Sequence, residues 1–251
     1  MRFLTVASLL ALIGLSTQQY CDPALCPILT GPHIACNGLT TLSPSCGHDA
    51  QEIYLDPSLV AIILDEHNRR RSQVATGQQS YAPGAFYSQA ARMATLQWDR
   101  ELANIAAANA RRCTFGHDTC RNTYSFPYAG QNIAISTNSR VSNGDQIKRW
   151  IDSWYAEYRS ANPGYLANFP GGPVLFSIGH FTQMVSDRTD RIGCSLVSYQ
   201  SNKVFVCNYS FSNMLGQPIY VTGRACSMCR TGCNAAYPGL CNTNEVVDAR
   251  A

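Results

Sequence analysis

The side chains able to do chemistry in this sequence are two imidazoles, one carboxylate and a large set of cysteines. His180 lies in Gly179-His180-Phe181-Thr182-Gln183-Met184-Val185, a run in which apolar and polar residues alternate. Alternation is the pattern of a half-buried strand, so Phe181, Gln183 and Val185 are expected on one face and His180, Thr182 and Met184 on the other. Such a strand would hold the imidazole on rigid backbone. His117 falls in Gly116-His117-Asp118-Thr119-Cys120, a short loop positioned by the nearby Cys113 and Cys120. A neutral imidazole near physiological pH can be a satisfied structural group, a general base or a metal ligand. No serine, threonine or free thiol nucleophile accompanies these histidines in a motif, which argues against covalent hydrolysis.

These groups need elements to carry them. Asp56-Pro57-Ser58 opens a helix, a capping side chain followed by proline, with Leu59, Ile62, Ile63 and Val74 on its buried side. Its string His67-Asn68-Arg69-Arg70-Arg71 reads as a solvated basic face with a structural histidine near the core. After a linker at 77–84, a second helix runs from Trp98-Asp99 to near Cys113, with Leu102, Ile105, Ala106 and Ala110 at helical spacing. Asn143-Gly144-Asp145 reads as a turn whose aspartate caps a third helix, Gln146 to about Tyr158. Ile147, Ile151, Trp154 and Tyr158 form its stripe, and Glu157 borders that face. A loop over 162–173 leads to three expected strands, 174–185, 192–199 and 203–211, the last two joined by a turn at Gln200-Ser201-Asn202.

With 251 residues, 45% hydrophobic and 14% charged, the polypeptide is long and apolar enough to bury one sizeable core. A net charge of +3, without basic residues interleaved with aromatics, gives no indication of nucleic acid. Residues 1–19 read as a secretory signal peptide, and no later stretch is apolar enough to span a membrane, so a secreted product is expected. All twelve cysteines follow that signal, an even set that reads as a disulfide framework in an oxidising compartment. Cys194 and Cys207 sit symmetrically about the hairpin turn, which favours a bridge between them. The Cys226-x2-Cys229-x3-Cys233 spacing also admits a zinc cluster, a reading disfavoured by export. The expected organisation is a signal at 1–19, a disulfide-tied wrap at 20–54, a main domain at 55–215 and a cysteine-rich tail at 216–251 without a core of its own.

Four strings occur in order: His67-Asn68 with Arg71, Gly130-Gln131-Asn132-Ile133, Gly179 through Val185, and Val206-Cys207-Asn208-Tyr209. On these the protein resembles the CAP superfamily of cysteine-rich secretory, antigen-five and pathogenesis-related proteins. Its cysteine spacing is most similar to the insect antigen-five branch and, within it, to salivary antihaemostatic proteins of horse flies. The resemblance implies an α+β fold, an α-β-α sandwich, and bridges Cys21–Cys36, Cys26–Cys120, Cys46–Cys113, Cys194–Cys207, Cys226–Cys233 and Cys229–Cys241.

It also implies a central cleft. The family's two histidines and two acidic residues map onto His117, His180, Glu157 and Gln131, so the fourth position departs from the pattern. Glutamine cannot ionise, which removes a second acid or base. Two imidazoles and Glu157 remain as a ligand set for a zinc-like divalent cation that the fold does not require. Ser186 departs as well, where the family usually has tryptophan. Asn208-Tyr209-Ser210 is a glycosylation sequon in what the family makes a core strand, so it is not expected to be used. The functional expectation is a monomeric, non-enzymatic secreted protein that binds a host partner. That partner would be a platelet integrin, met through Asn143-Gly144-Asp145 in the place of an Arg-Gly-Asp loop so as to impair haemostasis. The first alternative is scavenging of a small lipid held between helices, and the second is a metal-dependent hydrolase.

Overall fold

The computed structural model describes residues 19–26, 31–137 and 141–248. Except for Gln19, the expected signal peptide lies outside the described residues. The helices are α1 (Pro57–Ala75), α2 (Arg100–Ala110), α3 (Asn143–Ala156), α4 (Pro163–Ala167) and α5 (Leu175–Met184). The strands are β1 (Gln51–Ile53), β2 (Ser80–Ala82), β3 (Ala85–Phe86), β4 (Gln97–Trp98), β5 (Gly130–Thr137), β6 (Arg191–Tyr199) and β7 (Asn202–Tyr209). A five-stranded sheet runs in the order β1-β6-β7-β5, with β4 also paired to β6, and β2 and β3 form a separate two-stranded ribbon.

The pleat of β6 and β7 divides the core in two. Leu196, Phe205 and the Cys194–Cys207 bridge face a large cluster with Ile63 and Val74 of α1, Ile147, Ile151 and Trp154 of α3, and Ile178, Phe181 and Met184 of α5. Val197, Val204 and Val206 face the other way, onto Ala106 and Ala110 of α2. Successive residues of a strand point to opposite faces, so one hairpin supplies both halves of the α-β-α sandwich. Its turn places Gln200 and Ser201 at φ 44° and 65°, the left-handed pair that a two-residue hairpin loop needs. The alanines of α2 let that helix lie close to the sheet. A Cβ at Gly193 would fall 2.1 Å from the Ala103 backbone nitrogen, so only glycine fits there.

Several expectations are corrected. The segment 174–185 is not a strand: α5 occupies Leu175–Met184. The short alternation around His180 overlaps a helical spacing that begins one residue earlier, since Ile178, Phe181, Met184 and Val185 are all fully buried at i, i+3, i+6 and i+7. His67-Asn68-Arg69-Arg70-Arg71 is not a solvated face either. His67, Asn68, Arg70 and Arg71 are buried, leaving only Arg69 exposed. The Arg71 guanidinium is accommodated by backbone carbonyls, donating to Ala94, Met184, Ser186 and Thr189. Four acceptors satisfy a buried cation without a carboxylate contact.

The linker at 77–84 contains β2, and the loop at 162–173 contains α4. The third helix begins at Asn143, capped by Ser142, and gives way at Glu157–Arg159 to a 3-10 turn. The N-terminal wrap is tied by Cys21–Cys36, Cys26–Cys120 and Cys46–Cys113, and it ends by contributing β1 to the main sheet. The tail, bridged by Cys226–Cys233 and Cys229–Cys241, is not separate from the core. Ile219, Tyr220 and Leu240 enter the large cluster, and Cys241 exchanges backbone hydrogen bonds with Met93 and Thr95.

Candidate functional site

His117 and His180 line one cleft, of about 520 Å³, with Gln131, Asn132, Phe169 and Phe176. His180 is presented by α5 and lies flat against Trp154, ring centroids 5.8 Å apart and planes 14° from parallel. Behind it, Glu157 Oε1 is 2.6 Å from Nδ1, while Oε2 accepts from the backbone N–H groups of His180 and Phe181 at 2.8 and 3.1 Å. Both carboxylate oxygens are therefore engaged with α5. A carboxylate at Nδ1 keeps that nitrogen protonated, so the lone pair of the neutral ring sits on Nε2.

His117 is held in the same way by a neutral group. Gln131 Nε2 donates to Asp118 Oδ2 at 2.7 Å and to Asn208 Oδ1 at 2.9 Å. Asn208 in turn donates to the Leu102 carbonyl, which fixes its own orientation. With its amide nitrogen between two acceptors, Gln131 must turn Oε1 toward His117 Nδ1, 2.7 Å away. Nδ1 is then the donor, and Nε2 again carries the lone pair. Burial, more than any neighbouring charge, lowers the His117 pKa below the ordinary histidine value, and the Gln131 hydrogen bond only partly opposes it.

The expected site residues thus separate by role. His117 and His180 come together in the cleft, each with one ring nitrogen oriented from behind and no protein partner for Nε2 among the described residues. Glu157 and Gln131 each meet the Nδ1 atom of one ring, and both Glu157 oxygens are also engaged with α5. No group of three or more His, Cys, Asp or Glu side chains able to hold a metal occurs among the described residues. Two imidazoles whose Nε2 atoms meet no protein partner among the described residues are donors of the kind that zinc-like metals take.

Asp118 and Asn208 went unassigned in the sequence, although they fix Gln131. Asp118 also pairs with Arg121 at 2.7 Å. Asn208 is fully buried, which removes its sequon from use. Asn132 donates to the His180 carbonyl and to the Tyr209 hydroxyl, both at 3.2 Å, so adjacent residues of β5 serve both histidines. His67 Nδ1 meets the Ile63 carbonyl at 2.7 Å and Nε2 meets Tyr209 Oη at 2.9 Å. Complete burial lowers its pKa to about 3. Ser186 is buried, and its carbonyl accepts from Arg71.

Asn143-Gly144-Asp145 forms the first turn of α3 and not a projecting loop. Asn143 Oδ1 accepts from Lys203 Nζ at 2.8 Å, and Asp145 is joined to the capping Ser142 through its backbone N–H and carboxylate. Gly144 lies against α1, where an added Cβ would fall 3.0 Å from Ile62 Cδ1.

A profile of the cysteine-rich secretory protein family, CAP, matches residues 64–209, and the protein belongs to that family. Venom allergen-1 of Aedes albopictus is 41% identical over 95% of this chain and 93% of its own length. The antigen 5 like allergen Cul n 1 of Culicoides nubeculosus is 36% identical over 75% and 87% respectively. These relatives support the insect antigen-five branch. The crystal structure of NaASP2 with Zn2+ superposes with TM-score 0.63 at 29% identity, covering 74% of this protein and 96% of that one.

Proposed function

We propose that the protein is a secreted, non-enzymatic CAP protein that binds targets outside the cell, and that its cleft holds a divalent cation reversibly between His117 and His180. The observation that carries this reading is the shared orientation of the two rings, each fixed at Nδ1 and each keeping Nε2 for the cleft. A bound cation would supply a Lewis-acidic point for an oxygen ligand of the target. Gln131 offers no ionisable group, so the cleft lacks the paired acid and base that hydrolysis would use. Six disulfides and the venom-allergen names of the relatives support an extracellular setting. No helix among the described residues is long and apolar enough to cross a membrane.

A host target in haemostasis remains the context of this proposal, and the cleft is a better contact surface than the Asn143-Gly144-Asp145 turn. An integrin-directed role for that turn would require the start of α3 to unwind. The cleft, in contrast, is rimmed by large exposed apolar side chains: Phe176 is 89% exposed and Leu215 64%. Calorimetric titration with zinc tests the reading. Binding at pH 7.5 that weakens at pH 5.5 and is lost in His180→Ala supports it, whereas equal heats from the native protein and the variant would contradict it.

A further inference from the structure

A second cavity, of about 750 Å³, opens at the edge of the sheet and shares no lining residue with the histidine cleft; among its residues are Ile53, Leu55, Val60, Trp98, Arg100 and Cys194. Its origin is a gap in the sheet. One side of β6 is covered by β7 along its whole length. The other side has two short partners, β4 opposite Arg191 and Ile192 and β1 opposite Leu196 through Ser198. Residues 193–195 lie between them with no strand neighbour on that side.

The backbone of Cys194 faces this gap. Cys194 pairs with Cys207 across the hairpin with Cα atoms 4.1 Å apart, the close spacing of a non-hydrogen-bonded antiparallel pair. Its N–H and C=O therefore point away from β7. Ile192, two residues earlier on the same strand, turns its C=O outward in the same way and accepts from the Asp99 N–H. The register of β1 would bring Leu55 opposite Cys194, yet β1 ends at Ile53, and no hydrogen bond joins Leu55 to Cys194 among the described residues. A strand-like donor and acceptor are left without a protein strand partner and face a largely apolar cavity.

The cavity also has a cation that the fold does not use. Arg100 is exposed at the first position of α2, where a positive charge opposes the helix dipole. Its side chain makes no hydrogen bond or ion pair among the described residues. Arg111, which also lines the cavity, is neutralised by Glu52 at 2.9 and 3.1 Å.

We propose that the gap recognises an α-carboxylate carrying an acylated N–H and an apolar side chain, the chemistry shared by a polypeptide C terminus and a free N-acyl amino acid. The ligand residue extends the sheet by one position. Its N–H donates to the Cys194 C=O, one carboxylate oxygen accepts from the Cys194 N–H, and the carboxylate charge is met by Arg100. Its side chain lies among Ile53, Leu55, Val60 and Trp98. Strand addition of this kind takes affinity from main-chain hydrogen bonds and specificity from side-chain pockets.

The test is titration of the ¹⁵N-labelled full-length protein with N-acetylphenylalanine, following the Cys194 amide. A saturable shift of that resonance is expected, at least tenfold weaker binding for the carboxamide analogue, and a similar loss in Arg100→Gln with thermal stability kept or slightly raised. A tetrapeptide ending in phenylalanine separates the two sources: tighter binding assigns a polypeptide C terminus, and equal or weaker binding assigns the free acyl amino acid. An unmoved Cys194 amide, native affinity in Arg100→Gln, or equal binding of decanoate, which has no amide, would overturn the proposal.

Discussion

His67 and His180 belong to the same sandwich, and the fold treats the second nitrogen of each ring in opposite ways. Around His67 both nitrogens are used, one by the Ile63 carbonyl and one by the Tyr209 hydroxyl, and the ring is fully buried. Around His180 the protein engages Nδ1 through Glu157 and leaves Nε2 to a cleft. Asn132 touches both arrangements, through the Tyr209 hydroxyl and the His180 carbonyl. A histidine is thus not read as structural or functional from its surroundings in sequence. What decides is whether the fold leaves one ring nitrogen without a protein partner.

The largest effect should come from breaking the closed arrangement. His67→Ala leaves a cavity and removes a partner from two buried polar groups, and should cost roughly 2 to 4 kcal/mol in urea unfolding. The same ring gives stability a pH dependence. Its folded pKa of about 3 lies below the unfolded value near 6.5, so the unfolded protein binds one more proton in between. Stability from this group is fully present above about pH 6.5 and falls below it by at most about 1.4 kcal/mol per pH unit. Unfolding curves at pH 7, 6 and 5 should show that fall in the native protein and a shallower one in His67→Ala. His117, whose pKa is lowered in the same direction by burial, adds to it.

At the open arrangement, a change behind His180 should act on the cation and a change behind His117 on stability. Glu157→Gln keeps an acceptor near Nδ1 but loses the charge, and zinc affinity should drop roughly tenfold by titration, as for other groups that orient a ligand from behind. Gln131→Glu would set a second carboxylate beside Asp118, where the amide now donates at 2.7 Å. Like charges at that distance should cost about 1 to 2 kcal/mol in unfolding at pH 7 and less at pH 4, once one carboxyl is protonated. The smallest effect should come from Asp145→Ala. It loses a cap partner, about 0.5 to 1 kcal/mol by thermal unfolding, and leaves zinc binding as it was.

Part of this was legible in the amino-acid order. The β6–β7 hairpin was, because two short runs of strand-forming residues flank a polar turn, and so were α1 and α2, where Asp56 and Asp99 mark the starts. The segment holding His180 was not, because a seven-residue alternation is too short to tell a strand from a helix buried on several sides. The burial of Arg71 was hidden because its four acceptors are backbone carbonyls, which no side-chain pattern displays. For the cleft, the family resemblance supplied His117, His180, Glu157 and Gln131, but the separation between ring-bearing and ring-orienting groups depends on hydrogen-bond direction. Asp118 and Asn208 decide that direction for Gln131 from 13 and 77 residues away in sequence, and nothing local to Gln131 announces them.

The most direct measurement is the long-range ¹H–¹⁵N spectrum of the histidine rings at pH 7.5, before and after addition of zinc. The account predicts unprotonated Nε2 on both His117 and His180, a shift of both on adding zinc, and a His67 ring that does not respond. Protonated Nε2 on either cleft histidine in the metal-free protein, or a zinc response confined to one of them, would contradict the shared site.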